Sequence, residues 1–180
     1  MPCQRLLIGL RRWDDPALDG LFYPEDLPDG WRLDFLAGTT SAIWLEPGQV
    51  DEDALAVIAD APPSLRVVIE APEDEAMRAS LSVWASAHKE RVLALVDAPS
   101  ELAPGVRHLD HAQIWHPQAE VQDVPVGVIP ATADLRALRG WVDAFAEGPA
   151  GGGCALFVSG SPPPTGTLEN LRTLLEVMGW

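Results

Sequence analysis

Apolar residues recur along this chain in short runs, and several of the runs stop at a charged residue with proline close behind. RLLIGL (5–10), SAIWLEP (41–47), LRVVIEAP (65–72), RVLALVDAP (91–99) and CALFVSG (154–160) are nearly continuous and rich in branched side chains, the pattern of strands covered on both faces in a parallel sheet. Between them lie segments of helical period: DEDALAVIADA (51–61), DEAMRASLSVWASAHKE (74–90), TADLRALRGWVDAFAE (132–147) and TLENLRTLLEVMG (167–179). Residues 14–30 carry Pro, Gly and Asp throughout and read as a loop. WRLDFLAG (31–38) fits either a short helix ending at Gly38 or an extra strand. HAQIWHP (111–117) and VPVGVIP (124–130) read as two strands separated by QAEVQD, a connection too short for a crossover helix. Alternating strands and helices predict an α/β fold with a parallel sheet, here a (βα) barrel of the TIM type. It is shortened or incomplete, with seven strands, or eight if 31–37 is extended, in a single domain over residues 1–180.

In such a barrel every strand delivers its C-terminal end to one face, where the following loops build the site. The strand ends here are Arg11 and Arg12, Glu46, Glu70, Asp97, Trp115 with His116, and Ser159. Glu46, Glu70 and Asp97 are spaced by 24 and 27 residues, about one strand–helix unit each, and Pro47, Pro72 and Pro99 then stop the strands. Two readings of these acids stay open. Glu46, Glu70 and Asp97 with His116 offer hard oxygen ligands and one nitrogen, a donor set for Mg²⁺, Mn²⁺ or Zn²⁺, with the three acids as candidate catalytic groups. Alternatively, they favour the positive N-terminal ends of the helices that follow. Arg11 or Arg12 could hold an anionic group of a substrate. Trp13, Trp44 and Trp115, all near strand C-termini, are candidates for an aromatic pocket wall or for core packing. Ser159 opens SGSPPPTGT, where barrels often bind phosphate, although three prolines remove donors from that loop.

Composition narrows the partners. With 47% hydrophobic and 22% charged residues the chain has material for a core. A net charge of −15 repels phosphate backbones and anionic lipid, so neither nucleic acid nor membrane is an expected partner. No apolar run reaches the roughly 18 residues of a membrane span, and MPCQR leads into LLIGL without a signal-peptide pattern, so a cytoplasmic location is expected. Cys3 and Cys154 match no zinc spacing and are expected as reduced thiols. Cys3 stands just before the first strand and Cys154 begins the last, and these strands are neighbours in a closed barrel. His108, His111 and His116 with Asp110 fit no standard zinc motif. GPAGGG (148–153) leads into a strand, which a Walker-type phosphate cradle does not.

Several strand ends resemble a known family, the domain-of-unknown-function family 72, or YecE-like TIM-type barrels. Its first strand reads I-G-T-S-G-W, and Ile8-Gly9-Leu10-Arg11-Arg12-Trp13 stands here at the same spacing. F-Y-P follows as Phe22-Tyr23-Pro24, V-E-I-N is similar to Ile43-Trp44-Leu45-Glu46, and P-x-x-F-x-F-A-V-K to Pro62–Glu70. Near the end, an apolar strand and an N-A-x-x-L pattern resemble Leu156–Gly160 and Asn170–Leu174. The resemblance covers roughly residues 5–71 and 135–179 and implies a shortened, divergent TIM-type barrel. At the polar motif positions this chain has Leu10, Arg11, Trp44, Glu46 and Glu70 instead of Thr, Ser, Glu, Asn and Lys.

Two functions from different classes follow. One is a non-catalytic binding or interaction barrel for a small molecule or protein. The other is a divalent-metal-dependent hydrolase or isomerase acting on a small polar substrate. A homodimer is a third expectation, since a shortened barrel leaves a strand edge that a second copy could cover.

Overall fold

The computed structural model describes residues 5–118, 124–131, 134–147, 153–160 and 165–180. Seven strands and five α-helices lie among them: β1 (Arg5–Leu10), α1 (Arg32–Thr39), β2 (Ala42–Leu45), α2 (Glu52–Asp60), β3 (Arg66–Glu70), α3 (Glu75–Ala87), β4 (Val92–Val96), β5 (His108–Leu109), β6 (Val126–Pro130), α4 (Leu135–Glu147), β7 (Gly153–Ser159) and α5 (Thr165–Met178). The segment open to two readings, 31–38, is helical. Three helices begin at an aspartate whose carboxylate accepts the backbone N–H three residues on: Asp51 from Ala54, Asp74 from Met77 and Asp134 from Ala137, each at 2.7 Å. Each such cap is worth about 1 kcal/mol.

Every strand pair is parallel. The strands form a three-stranded sheet, β1-β7-β6, and a four-stranded sheet, β2-β3-β4-β5, not one closed ladder. Among the described residues, backbone contacts of Ser41 and of Trp115, the latter in the segment after β5, line the outer edges of β1 and β6. At one seam Ser41, just before β2, gives its N–H to the Ile8 carbonyl at 3.2 Å, while its hydroxyl oxygen accepts the Ile8 N–H at 2.8 Å. Gly9 makes this approach feasible. A Cβ there would overlap the Ala42 carbonyl oxygen and lie 2.9 Å from Phe157 Cε1. At the other seam Trp115 makes a parallel bridge to Gly127 in β6, with Trp115 N–H to Val126 O at 3.0 Å and Val128 N–H to Trp115 O at 2.8 Å.

Side chains alternate between two apolar regions, as the strand period of two requires. One cluster takes Leu7 from β1, Trp44 from β2, Val68 from β3, Val96 from β4, Leu109 from β5, Val126 from β6 and Phe157 from β7. The other packs Leu6, Ile8 and Leu10 with Leu36, Leu55, Ile58, Leu138 and Leu171 of the helices. The long first loop is tied down by aromatic rings. Tyr23 is buried and meets Phe22 at 4.9 Å and Phe35 at 5.6 Å between ring centres, and its hydroxyl donates to Trp13 O at 2.7 Å.

Three expectations need correction or fall outside the description. The strand expected at 111–117 is a 3-10 turn at His111–Gln113 followed by the single bridging residue Trp115, and β5 lies upstream of it. The cause is local: Asp110 and Gln113 form a capping box, in which Gln113 Oε1 accepts the Asp110 N–H at 2.7 Å and coils the chain there. Cys154 stands opposite Leu6 in the β1–β7 register and is disulfide-bonded, not a reduced thiol; Cys3 lies outside the described residues. So do most of the glycine-rich connector and residues 161–164 of the proline loop.

Candidate functional site

The polar residues at the strand ends are drawn together by one guanidinium. Arg11 follows β1, and its Nη2 donates to Glu70 Oε1 at 3.0 Å while its Nε lies 3.4 Å from Glu46 Oε1. Beneath it the Trp44 ring, fully buried at the end of β2, carries the guanidinium carbon 4.7 Å from the ring centre. Trp44 Nε1 also donates to Glu70 Oε1, at 2.7 Å. Glu70 is only 7% exposed, and a buried carboxylate needs such compensation: a cation and an indole N–H share one oxygen. Phe157 of β7 packs edge-on against Trp44 at 5.1 Å and fixes the platform from below.

A second pair extends the network. Asp97 follows β4 and holds His111, its Oδ2 lying 2.6 Å from His111 Nδ1 and its Oδ1 accepting the His111 backbone N–H at 3.1 Å. The side-chain hydrogen bond from His111 is the main reason that the Asp97 carboxyl titrates below the usual carboxylate range. With the Nδ1 proton given to Asp97, His111 Nε2 presents its lone pair to Arg11 Nη2, 3.4 Å away, and stands 3.5 Å from Glu70 Oε1. Both Asp97 (φ 52°) and Arg12 (φ 56°) adopt the left-handed backbone region that non-glycine residues seldom enter. At Asp97 this turn brings the acid back toward the His111 turn.

The expected residues therefore divide. Arg11, Trp44, Glu46, Glu70 and Asp97 share one network at the C-terminal ends of the strands. His111, and not His116, joins them through side-chain bonds. Its signal in the sequence is Asp110-x-x-Gln113, an acid and an amide at capping-box spacing that place a turn where the apolar pattern suggests a strand. His116 and Ser159 line an adjoining cavity of about 340 Å³ with Arg11, His111, Gln118 and an apolar wall that includes Ile114 and Val128. Arg12 is exposed and makes no side-chain contact with the network among the described residues. Trp13 is structural, its Nε1 donating to Trp44 O at 3.0 Å, and Trp115 is buried against Phe145 at 5.3 Å.

Among the described residues no group of three His, Cys, Asp or Glu side chains stands where it could hold a metal ion. The donors nearest that role are engaged. Arg11 lies between Glu46 and Glu70, and both Asp97 oxygens accept from His111.

Comparison with known proteins places this fold. No family model matches the chain, and no curated protein matches it in sequence. Among solved structures, a DUF72 family protein of Thermotoga maritima superimposes with a TM-score of 0.58 at 8% identity, covering 98% of this chain and 100% of the other. The chain thus has a DUF72-like α/β fold, as its strand-end motifs imply. No helix among the described residues is long and apolar enough to cross a membrane.

Proposed function

We propose that the chain is a shortened (βα) barrel of the TIM type, one domain, that binds a small polar molecule at the C-terminal ends of its strands without transforming it. The observation that carries this is the state of the polar groups. Arg11, Glu70, Trp44, Asp97 and His111 hold one another in one hydrogen-bonded network, and the assembly opens on a cavity large enough for a small ligand. A preorganised network of this kind suits recognition, because binding then costs little reorganisation. The barrel reading is supported by an apolar cluster fed by all seven strands and by the two seams at Ser41 and Trp115. Those seams also cover two strand edges that would otherwise favour a homodimer. The charge of −15 supports a ligand other than nucleic acid.

The test is a fragment screen by ligand-observed NMR, followed by mapping on isotopically labelled protein. Binders should move the signals of His111, Val128 and the Arg11 side chain. Binders that cluster elsewhere on the molecule would overturn the reading. The alternative, a divalent-metal hydrolase or isomerase using Glu46, Glu70, Asp97 and His116, rests on the convergence of the three acids and requires Arg11 to leave Glu70. Stoichiometric metal in the purified protein, lost in Glu70→Ala, would favour that alternative.

A further inference from the structure

The cavity beside Arg11 differs in charge from the rest of the molecule. The chain has 27 acidic residues, yet none of the described residues lining this cavity is acidic. Its polar lining is Arg11, His111, His116, Gln118 and Ser159, of which Arg11, Gln118 and Ser159 carry N–H or O–H donors in any ionisation state. The acids stand behind this wall: Glu70 and Glu46 hold the guanidinium, and Asp97 holds the imidazole. Arg11 is not used up by them. Its Nη1 has no partner among the described residues, and the buried Nε, although 3.4 Å from Glu46, makes no hydrogen bond. The rest of the lining is apolar: Ile114, Pro117, Val128, Ile129 and Pro130.

Resting on the binding reading above, we infer that this cavity takes a small organic monoanion, its carboxylate on the free edge of Arg11 and its apolar body against Ile114 and Val128. Guanidinium geometry matches a carboxylate, and a charge-assisted hydrogen bond is roughly twice as strong as a neutral one. The charge count selects one negative charge over two. Arg11 already faces Glu46 and Glu70, and Asp97 stands behind His111, so these acids repel a phosphate dianion about twice as strongly as a single carboxylate. The volume of about 340 Å³ suits a ligand of the size of an aromatic or short branched acid.

Four probes that share one ring separate the outcomes: benzoate, benzamide, benzylamine and phenylphosphonate, each titrated at neutral pH against protein carrying labelled histidine. Benzoate should shift the His111 and His116 ring signals saturably and bind about tenfold or more tightly than benzamide, with benzylamine and phenylphosphonate weaker again. Arg11→Gln should erase the preference for benzoate. Because that change also removes the cation beside Glu70, Ser159→Phe supplies a second arm: it fills the cavity from a partly exposed strand end and should abolish binding in a protein that stays folded. Equal affinity for benzoate and benzamide, or a preference for benzylamine or phenylphosphonate, would overturn the monoanion inference and leave the binding reading standing. If none of the four moves either histidine in the folded protein, the binding reading falls too.

Discussion

At the residue scale, Glu70 is the position where most depends on one side chain. It is buried, and one oxygen takes both the Arg11 guanidinium and the Trp44 indole N–H. Glu70→Ala leaves a cation and an N–H donor without their acceptor, which for a buried pair costs roughly 3 to 5 kcal/mol. Arg11 keeps a quarter of its side-chain surface in solvent, so the loss should fall near the lower end, about 3 kcal/mol by urea unfolding. Glu70→Gln keeps an acceptor for the indole and should cost clearly less. Equal losses in the two variants would mean that the indole bond contributes nothing. Asp97 yields a pH prediction. Its folded pKa lies below its ordinary value, so its contribution is complete above that ordinary value and is lost as pH falls through the folded one. The stability gap between wild type and Asp97→Asn should therefore be constant near neutrality and close progressively below about pH 4. A gap that widens in acid would refute the assignment. The positions of these acids are legible from spacing alone, since each follows an apolar run and precedes a proline. His111 is not, because its placement depends on a side-chain-capped turn that hydropathy does not encode.

At the element scale, the first loop shows how a polar segment is held. Phe22 and Tyr23 interrupt it, and their rings meet each other and Phe35 of α1 edge-on at centre distances of 4.9 to 5.7 Å. Burial pushes the Tyr23 hydroxyl well above the usual phenol range, in keeping with a ring sealed under the loop. Phe22 is only partly buried, so Phe22→Ala should cost about 1 to 3 kcal/mol, less than a full core truncation, and lower the melting temperature by several degrees. An unchanged melting temperature would mean that the loop is not anchored there. Helices and long strands are legible because their periods persist over many residues. Residues 31–38 admit two readings because eight residues with apolar positions on several faces define no period, and 111–117 misleads because Ala, Ile and Trp alternate with polar residues through a turn.

At the scale of the whole molecule, the sequence predicts parallel strands meeting at one face but not how the ends of the two sheets meet. Those seams depend on atoms without a pattern: a serine hydroxyl standing in for a ladder carbonyl at Ile8, a glycine that lets β2 approach β1, and a single tryptophan bridging to β6. If both seams are shut, the amides of Ile8, Trp115 and Val128 open only with the global unfolding of the sheets, and their hydrogen exchange should be as slow as that of Ala155 inside the β6–β7 ladder. Ser41→Ala removes the acceptor of the Ile8 N–H. It should cost about 1 to 3 kcal/mol and speed exchange at Ile8 while Trp115 and Val128 stay protected. Gly9→Ala should be more severe, since its Cβ meets main-chain atoms of Ala42 that cannot rotate away; a loss of roughly 3 kcal/mol or failure to fold is expected. Fast exchange at Ile8 or Trp115 in the unaltered protein would show two sheets lying side by side with open edges. The gathering of Arg11, Glu46, Glu70 and Asp97 at one mouth depends on the first seam, because Arg11 reaches the acids of β2 and β3 only across it. Ser41→Ala should therefore also weaken benzoate binding, and an affinity equal to that of the wild type would show that the site forms without closure at that seam.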